Sequence, residues 1–278
     1  MRSDAELQVA VVGLCSIANV ETNMATQSRP KVCLFDIGGV CVVSPFKAIL
    51  EYEQRNNIPV GYVNYSIRAL TPNGTWHKFE RGEIKYGPEY FKAFKADLEN
   101  PKLWAQFHAE KLHIADPYKL PPIPNIDTEV LYHTMMGMSR QPDPYMWPAL
   151  KKLKADGTYH IAAMSNTSIF PDDAPLIGPP AEEDVKKIFD LFVSSAHVGM
   201  RKPNRDIYDY TIDLLRKKWG SDIQPSDIVF LDDIGENLKM ARSLGIRTIR
   251  VFLGKTKDAV KELSEVTGID LLEERAKL

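Results

Sequence analysis

Lys31-Val32-Cys33-Leu34-Phe35-Asp36-Ile37-Gly38-Gly39-Val40 decides how this chain reads. Val32 to Phe35 is an unbroken apolar run that stops at an acid. A run so short and so uniformly apolar predicts a strand buried on both faces, as in a parallel sheet. Gly38-Gly39 then removes side chains just past the strand end. That lets the backbone approach a ligand and turns its amides toward an anion.

Four later runs repeat the theme. Ile161 to Met164 stops at Ser165, Leu191-Phe192-Val193 is a third run, and Ile228 to Leu231 stops at Asp232-Asp233. Arg247 to Phe252 is mixed in polarity, which places it nearer a sheet edge. Helical spacing separates these runs: Tyr145 to Asp156 ends at Gly157, Arg205 to Trp219 at Gly220, and Gly235 to Leu244 at Gly245. Strand alternating with helix predicts an α/β fold, a doubly wound, Rossmann-like parallel sheet covered on both faces.

More than a hundred residues separate the first run from the second, too many for one crossover. They read as helical over Phe46–Arg55, Glu89–Glu99 and Thr128–Met138, interrupted by the proline-rich Pro117 to Pro124. The expected division is an α/β core over 31–45 and 141–278, with a helical cap, 46–140, inserted after the first strand. Pro171 to Pro180 reads as a surface loop. Residues 1–30 read as a flexible leader, with a targeting segment as the alternative.

Composition narrows the function classes. The 278 residues are 44% apolar and 26% charged, with 35 Lys+Arg against 37 Asp+Glu, which excludes disordered, collagen-like and coiled-coil chains. A net charge of -2 with no block of one sign argues against nucleic-acid and membrane partners. The best apolar stretch, Val9 to Val20, is too short to span a bilayer and is broken by Gly13, Ser16 and Asn19. Cys15, Cys33 and Cys41 are odd in number and form no C-x-x-C pair, which fits reduced thiols in a cytoplasmic protein.

In an open α/β sheet, ligands bind beyond the carboxyl ends of the strands. Asp36, Ser165-Asn166-Thr167, Lys202 and Asp232-Asp233 all fall there. One strand-end Asp is ordinarily a turn or cap residue; four ordered coincidences are not. Asp36 and Asp233 are hard oxygen donors suited to Mg²⁺. Ser165 can donate to a phosphate oxygen, and Lys202 can neutralise a carboxylate and a phosphate together. A carboxylate attacking phosphorus is an established form of covalent catalysis.

These motifs resemble the haloacid dehalogenase superfamily, especially the phosphatase-like N-terminal domains of soluble epoxide hydrolases and the domains fused to some acyl-CoA dehydrogenase-like proteins. The matching text is Phe35 to Val40, Met164 to Thr167, Val198 to Tyr208 and Phe230 to Leu238. The resemblance implies that Asp36 is nucleophile and Mg²⁺ ligand, with the Gly38 carbonyl a second ligand. Ser165 and Asn166 would hold the phosphoryl group, with Gly39 beside it, and Lys202 would bridge Asp36 and the phosphate. Asp233 would bind the metal directly, with Asp232 positioning it or a metal-bound water, and Asn237 would stand outside the ligand set. The substrate implied is a small phosphorylated metabolite; the oligomeric state is left open.

One position departs from the pattern. Most phosphatases of this superfamily carry Asp where this chain has Gly38, and that acid protonates the leaving group. Dehalogenases also lack it and need no metal, so a metal-independent dehalogenase and a catalytically weak binding protein stand as alternatives. The Asp232-Asp233 pair and the Gly39-Val40 continuation resemble the phosphatases more.

Other features carry less. Gly254-Lys255-Thr256 lacks the upstream glycine of a P-loop, because position 249 is Ile, and is expected to open a surface helix. His77, His108, His113, His133, His160 and His197 make no zinc motif. Tyr86, Tyr90, Phe91 and Phe94 read as helix core. Trp76-His77-Lys78-Phe79-Glu80-Arg81-Gly82-Glu83 resembles a cap turn of the same relatives. It is expected to be a solvent-facing helix end with Trp76 and Phe79 packed inward, the alternative being that His77 or Arg81 reaches substrate.

Overall fold

The computed structural model describes residues 28–181 and 183–272. Residues 1–27 of the expected leader, Cys15 among them, lie outside that range. Among the described residues no helix is long and apolar enough to cross a membrane.

Five parallel strands form one sheet: β1 (Val32–Phe35), β2 (His160–Ser165), β3 (Leu191–Ser194), β4 (Ile228–Asp232) and β5 (Arg247–Arg250). Their order is β3-β2-β1-β4-β5, so the chain winds outward from β1 on one side and resumes next to it on the other. The crevice of such a sheet opens between β1 and β4. Phe35 pairs with Ala163 and with Leu231, and the Asp36 amide donates to the Leu231 carbonyl at 2.9 Å. The register therefore brings Asp36 level with Asp232.

Both faces are covered. The cluster on one side includes Cys33, Phe35, Ile161, Val229, Leu150 and Leu263. The other includes Val32, Leu34, Met164, Phe230, Ile212 and Leu238. The first is built with α7 (Met146–Asp156) and α11 (Thr256–Thr267), the second with α9 (Arg205–Trp219) and α10 (Gly235–Ser243), while the short α8 (Ser195–Val198) follows β3. Helix α11 is thus more than the expected surface helix, since Ala259, Val260 and Leu263 bury one face of it. The fifth strand is shorter than its apolar text. Phe252 and Leu253 lie beyond Arg250 and are exposed.

Between β1 and β2 the chain forms α1 (Pro45–Arg55), α2 (Tyr62–Ala69), α3 (Thr75–Glu80), α4 (Pro88–Leu98), α5 (Pro101–Lys111) and α6 (Thr128–Met138). Ser44 caps α1 by accepting the Phe46 amide, with Pro45 at the first helical position, where a missing N–H costs nothing. This insert has its own apolar cluster, among them Tyr62, Phe79, Tyr90, Phe94, Trp104 and Tyr132.

The segment after β2 is exposed at Pro171 to Asp173, as expected of a surface loop, but it also crosses α6. Ser168 Oγ lies 2.8 Å from Tyr132 Oη, and the Ile177 amide donates to the His133 carbonyl at 3.0 Å. Gly137 meets the Ile177 backbone so closely that a Cβ there would lie 2.1 Å from the Ile177 carbonyl oxygen. Arg140 and Gln141 donate to the Pro179 carbonyl.

Candidate active site

Asp36 leaves the central strand almost fully buried. Its Oδ1 accepts the Ile37 amide and the Ser165 hydroxyl, each at 2.7 Å. Its Oδ2 lies 3.0 Å from Lys202 Nζ. The same ammonium donates to Asp232 Oδ2 at 2.6 Å and sits 5.3 Å above the Phe230 ring. Lys202 is 1% exposed, so it is held between two carboxylates with almost no water. Burial alone would lower its pKa, but Asp232 and Asp36 outweigh that and raise it.

The two acids of the fourth strand end have different surroundings. Asp232 is fully buried and its oxygens are crowded. Oδ1 accepts the Ile234 amide at 2.8 Å and Asn237 Nδ2 at 3.0 Å; Oδ2 accepts Lys202 and, at 3.1 Å, Asn237 Nδ2 again. Asp233 is only partly buried, and among the described residues only its own backbone amide, and no other residue, hydrogen-bonds its carboxylate. Burial first, then the charges of Asp36 and Asp232, push its carboxyl up to about 8. Burial pushes Asp232 up to about 6, against the pull of Lys202.

Asp36, Asp232 and Asp233 each offer an oxygen within 4.8 Å of the others. One lysine cannot balance three acids, and the surplus falls on Asp233. An all-oxygen set of this kind suits a hard divalent cation. Of the three, Asp233 is the carboxylate that no other residue hydrogen-bonds.

The two glycines part company. Gly39 has φ +74, and a Cβ on it would come 2.5 Å from Asp233 Oδ2. Gly39 is required so that this carboxylate can approach. Its amide, expected to face an anion, instead donates to the Val42 carbonyl at 3.0 Å. The turn consumes the donor, so Gly39 offers substrate no N–H. Gly38 has no such restraint: a Cβ would meet only Pro45 Cδ, at an ordinary 3.5 Å.

Asn166 needs a similar correction. Its side chain was expected on the phosphoryl group, but it clamps the Lys202 backbone. The Lys202 amide donates to Asn166 Oδ1 at 2.8 Å, and Asn166 Nδ2 donates to the Lys202 carbonyl at 3.0 Å. That leaves the Asn166 backbone N–H, beside Ser165, as the group able to face a ligand.

The insert turn packs Trp76 and Phe79 inward and is exposed at Gly82 and Glu83, as expected, but His77 and Glu80 on it are buried. His77 is 3% exposed, its Nε2 is 3.0 Å from Thr71 Oγ1, and burial, then Arg201 and Arg81, lower its pKa to about 4. Arg81 pairs with Glu83 and donates to the Pro72 carbonyl. The hydrogen-bond partners of both side chains lie within the insert. Sequence reasoning missed Glu80 and Arg201, whose side chains pair at 2.8 Å; a single acid on a short helix gives no signal of a partner 121 residues away.

The haloacid dehalogenase-like hydrolase profile matches residues 30–245. Acyl-CoA dehydrogenase family member 10 of Mus musculus is 28% identical over 241 residues, covering 87% of this chain and 19% of the relative. Bifunctional epoxide hydrolase 2 of Sus scrofa is 27% identical over 249 residues, covering 87% and 40%. The chain therefore spans less than half the length of either relative. Sesquiterpene phosphatase astK of Aspergillus oryzae is 27% identical over 174 residues, covering 61% and 81%. A HAD-like hydrolase structure from Porphyromonas gingivalis superposes with a TM-score of 0.52 at 19% identity, covering 85% of this chain and 98% of that one, which shows the shared fold.

Proposed function

This chain belongs to the haloacid dehalogenase-like hydrolases, and from that premise we propose that it hydrolyses small phosphoric monoesters with Mg²⁺, through an aspartyl phosphate on Asp36. The observation that carries the reading is the crowding of Asp36, Asp232 and Asp233, with no donor from another residue on Asp233. Displacement at carbon without a metal leaves Asp233 with no task. The phosphatase named among the relatives supports the same reading.

In this reading Asp36, Asp233 and the Gly38 carbonyl would hold Mg²⁺, which supplies charge neutralisation at the phosphoryl oxygens. Asp36 Oδ2 attacks phosphorus, and the ester oxygen leaves with the bonding pair. Water then cleaves the acyl phosphate and regenerates the carboxylate. Ser165 Oγ and the Asn166 amide orient the phosphoryl oxygens. Lys202, fixed by Asp232, pairs with Asp36 and faces the growing negative charge. The insert over 46–140 acts as the cap that selects the leaving group, and the setting is cytoplasmic, in keeping with unpaired, buried Cys33 and Cys41.

The test is a screen of phosphorylated metabolites with and without Mg²⁺, together with beryllium fluoride as a mimic of the aspartyl phosphate. Mg²⁺-dependent phosphate release and tight fluoride binding are expected. Halide release without metal would favour the dehalogenase alternative. Fluoride binding without turnover would favour a phospho-ligand-binding protein.

A further inference from the structure

The insert reaches both loops of the site through one residue. Glu80 ends α3 and is buried. Its Oε2 accepts Arg201 Nε at 2.8 Å, and Arg201 Nη2 lies 2.8 Å away as well. Its main-chain carbonyl accepts the Ser195 hydroxyl at 2.6 Å, and Ser195 Oγ in turn accepts the Thr167 amide at 2.8 Å. Arg201 immediately precedes Lys202, and Thr167 follows Ser165 and Asn166. Two residues past Glu80, Gly82 has φ +69, and a Cβ there would lie 2.4 Å from the Ala196 carbonyl oxygen. The turn thus stands on the core without slack.

Stability alone is a poor reason for this arrangement. A buried ion pair rarely outperforms apolar packing of the same volume. Position is a better one. The Lys202 backbone is gripped from the core by Asn166 and, through its neighbour Arg201, from the insert by Glu80.

We propose that Glu80 is a positioning residue: through Arg201 and Ser195 it sets the Lys202 ammonium between Asp36 and Asp232 and the Ser165 loop against Asp36. Only its kinetic readout rests on the phosphatase reading.

The variants are Glu80→Gln, Arg201→Gln and the pair together. Glu80→Gln keeps the size and the main-chain contact and removes the charge. A misplacement near 1 Å costs up to ~100-fold, and Asn166 still holds the loop, so turnover of p-nitrophenyl phosphate per site should fall about tenfold. Sites are counted by beryllium fluoride titration. KM and the half-saturating Mg²⁺ concentration should move less than about twofold, and the double variant should be no slower than the slower single one. A packing role would lower the thermal midpoint and the number of competent sites but leave turnover per site unchanged; that result overturns the proposal.

A second arm needs no turnover. The Lys202 Cε–Nζ NMR signal, assigned with Lys202→Arg, should shift in Glu80→Gln, and an unchanged signal overturns the proposal. If the parent neither hydrolyses phosphate esters nor binds beryllium fluoride, the phosphatase reading fails, and this arm alone decides the role of Glu80.

Discussion

The sheet and the insert solve burial in different ways. Among the described residues, ten of the eighteen buried in the insert's cluster are aromatic, against four of thirty-seven in the two clusters flanking the sheet. Helices on a parallel sheet pack through small aliphatic side chains, and polar groups collect at the strand ends. The insert has no sheet to pack against and fills its interior with rings. Rings bring hydroxyls, and hydroxyls need partners. Tyr62 donates to the Leu98 carbonyl at 2.7 Å, Tyr52 Oη lies 2.8 Å from the Asp127 amide, and Tyr132 meets Ser168. In the core, apolar packing and polar groups occupy different places; in the insert they are interleaved.

That contrast can be broken most sharply at Asp36. If the strand-end acids serve chemistry and not packing, Asp36→Asn should cut turnover about 10,000-fold or more and leave the thermal midpoint equal or higher, since one of three crowded acids is gone. Kinetics and calorimetry on one preparation decide it. Phe94→Ala should do the reverse. Removing a fully buried ring should cost roughly 3–5 kcal/mol, read by denaturant unfolding, with turnover per folded molecule little changed.

The neighbouring acids sharpen the comparison within the core. Asp233→Ala should weaken Mg²⁺ about 100-fold or more in a titration, with little change in stability. Asp232→Ala should chiefly destabilise the protein, because it strips the acceptor from three donors at once, the Ile234 amide, Asn237 Nδ2 and the buried Lys202 ammonium. The larger Mg²⁺ loss in Asp232→Ala would reverse the assignment.

His77 probes polar burial in the insert. Its folded-state pKa, about 4, lies below the ordinary 6.5, so the folded protein holds the ring neutral while the unfolded chain binds a proton. Its contribution to stability is therefore whole above pH 6.5 and is lost as pH falls toward 4, by roughly 2 kcal/mol. Asp232 and Asp233, raised above the ordinary carboxylate range, gain stability over the same window, so the drop is read by unfolding as the stability of the parent minus that of His77→Gln, which should be smaller at pH 4.5 than at pH 7.

The smallest effect is a gain. Gly38 tolerates a Cβ, so Gly38→Asp should fold. General acid help is typically worth ~100- to 10,000-fold, and an unoptimised acid should recover about tenfold on alkyl phosphates and less on aryl ones. A leaving-group series on both proteins measures this. A flat series in the parent would mean that another group already supplies the proton.

The strand ends were legible because a buried parallel strand must announce itself as an apolar run, and what interrupts the run is where chemistry can stand. Asp36, Ser165 and Asp232-Asp233 were found that way. The insert was legible only in part. Helices α1, α4 and α6 show in the text, α3 shows only as the helix end at Trp76 to Glu83, and α2 and α5 do not. They are short or carry their buried face on residues such as Tyr65, His77 and His108, which a simple apolar count passes over. Asn100-Pro101 was an available start signal for α5, because Asn100 accepts the Lys102 amide as a cap. The side-chain clamp of Asn166, the spent Gly39 amide and the Glu80 contact arise only when distant loops meet, and no local pattern encodes them.

The crossing of α6 by the segment after β2 has a mechanical consequence. A body hung from two neighbouring lengths of chain, here near Val43 and near Gln141, whose amide and carbonyl are 2.9 Å apart, swings about a single axis. The contacts of Ser168 and Ile177 with α6 add a third point of attachment. Where that point stands off the axis, it converts a hinge into a tripod and removes the one rotational degree of freedom the insert had. Any rotation of the insert then requires bending of the segment from Ser168 to Pro180 together with parting of the Glu80 contacts to Arg201 and Ser195.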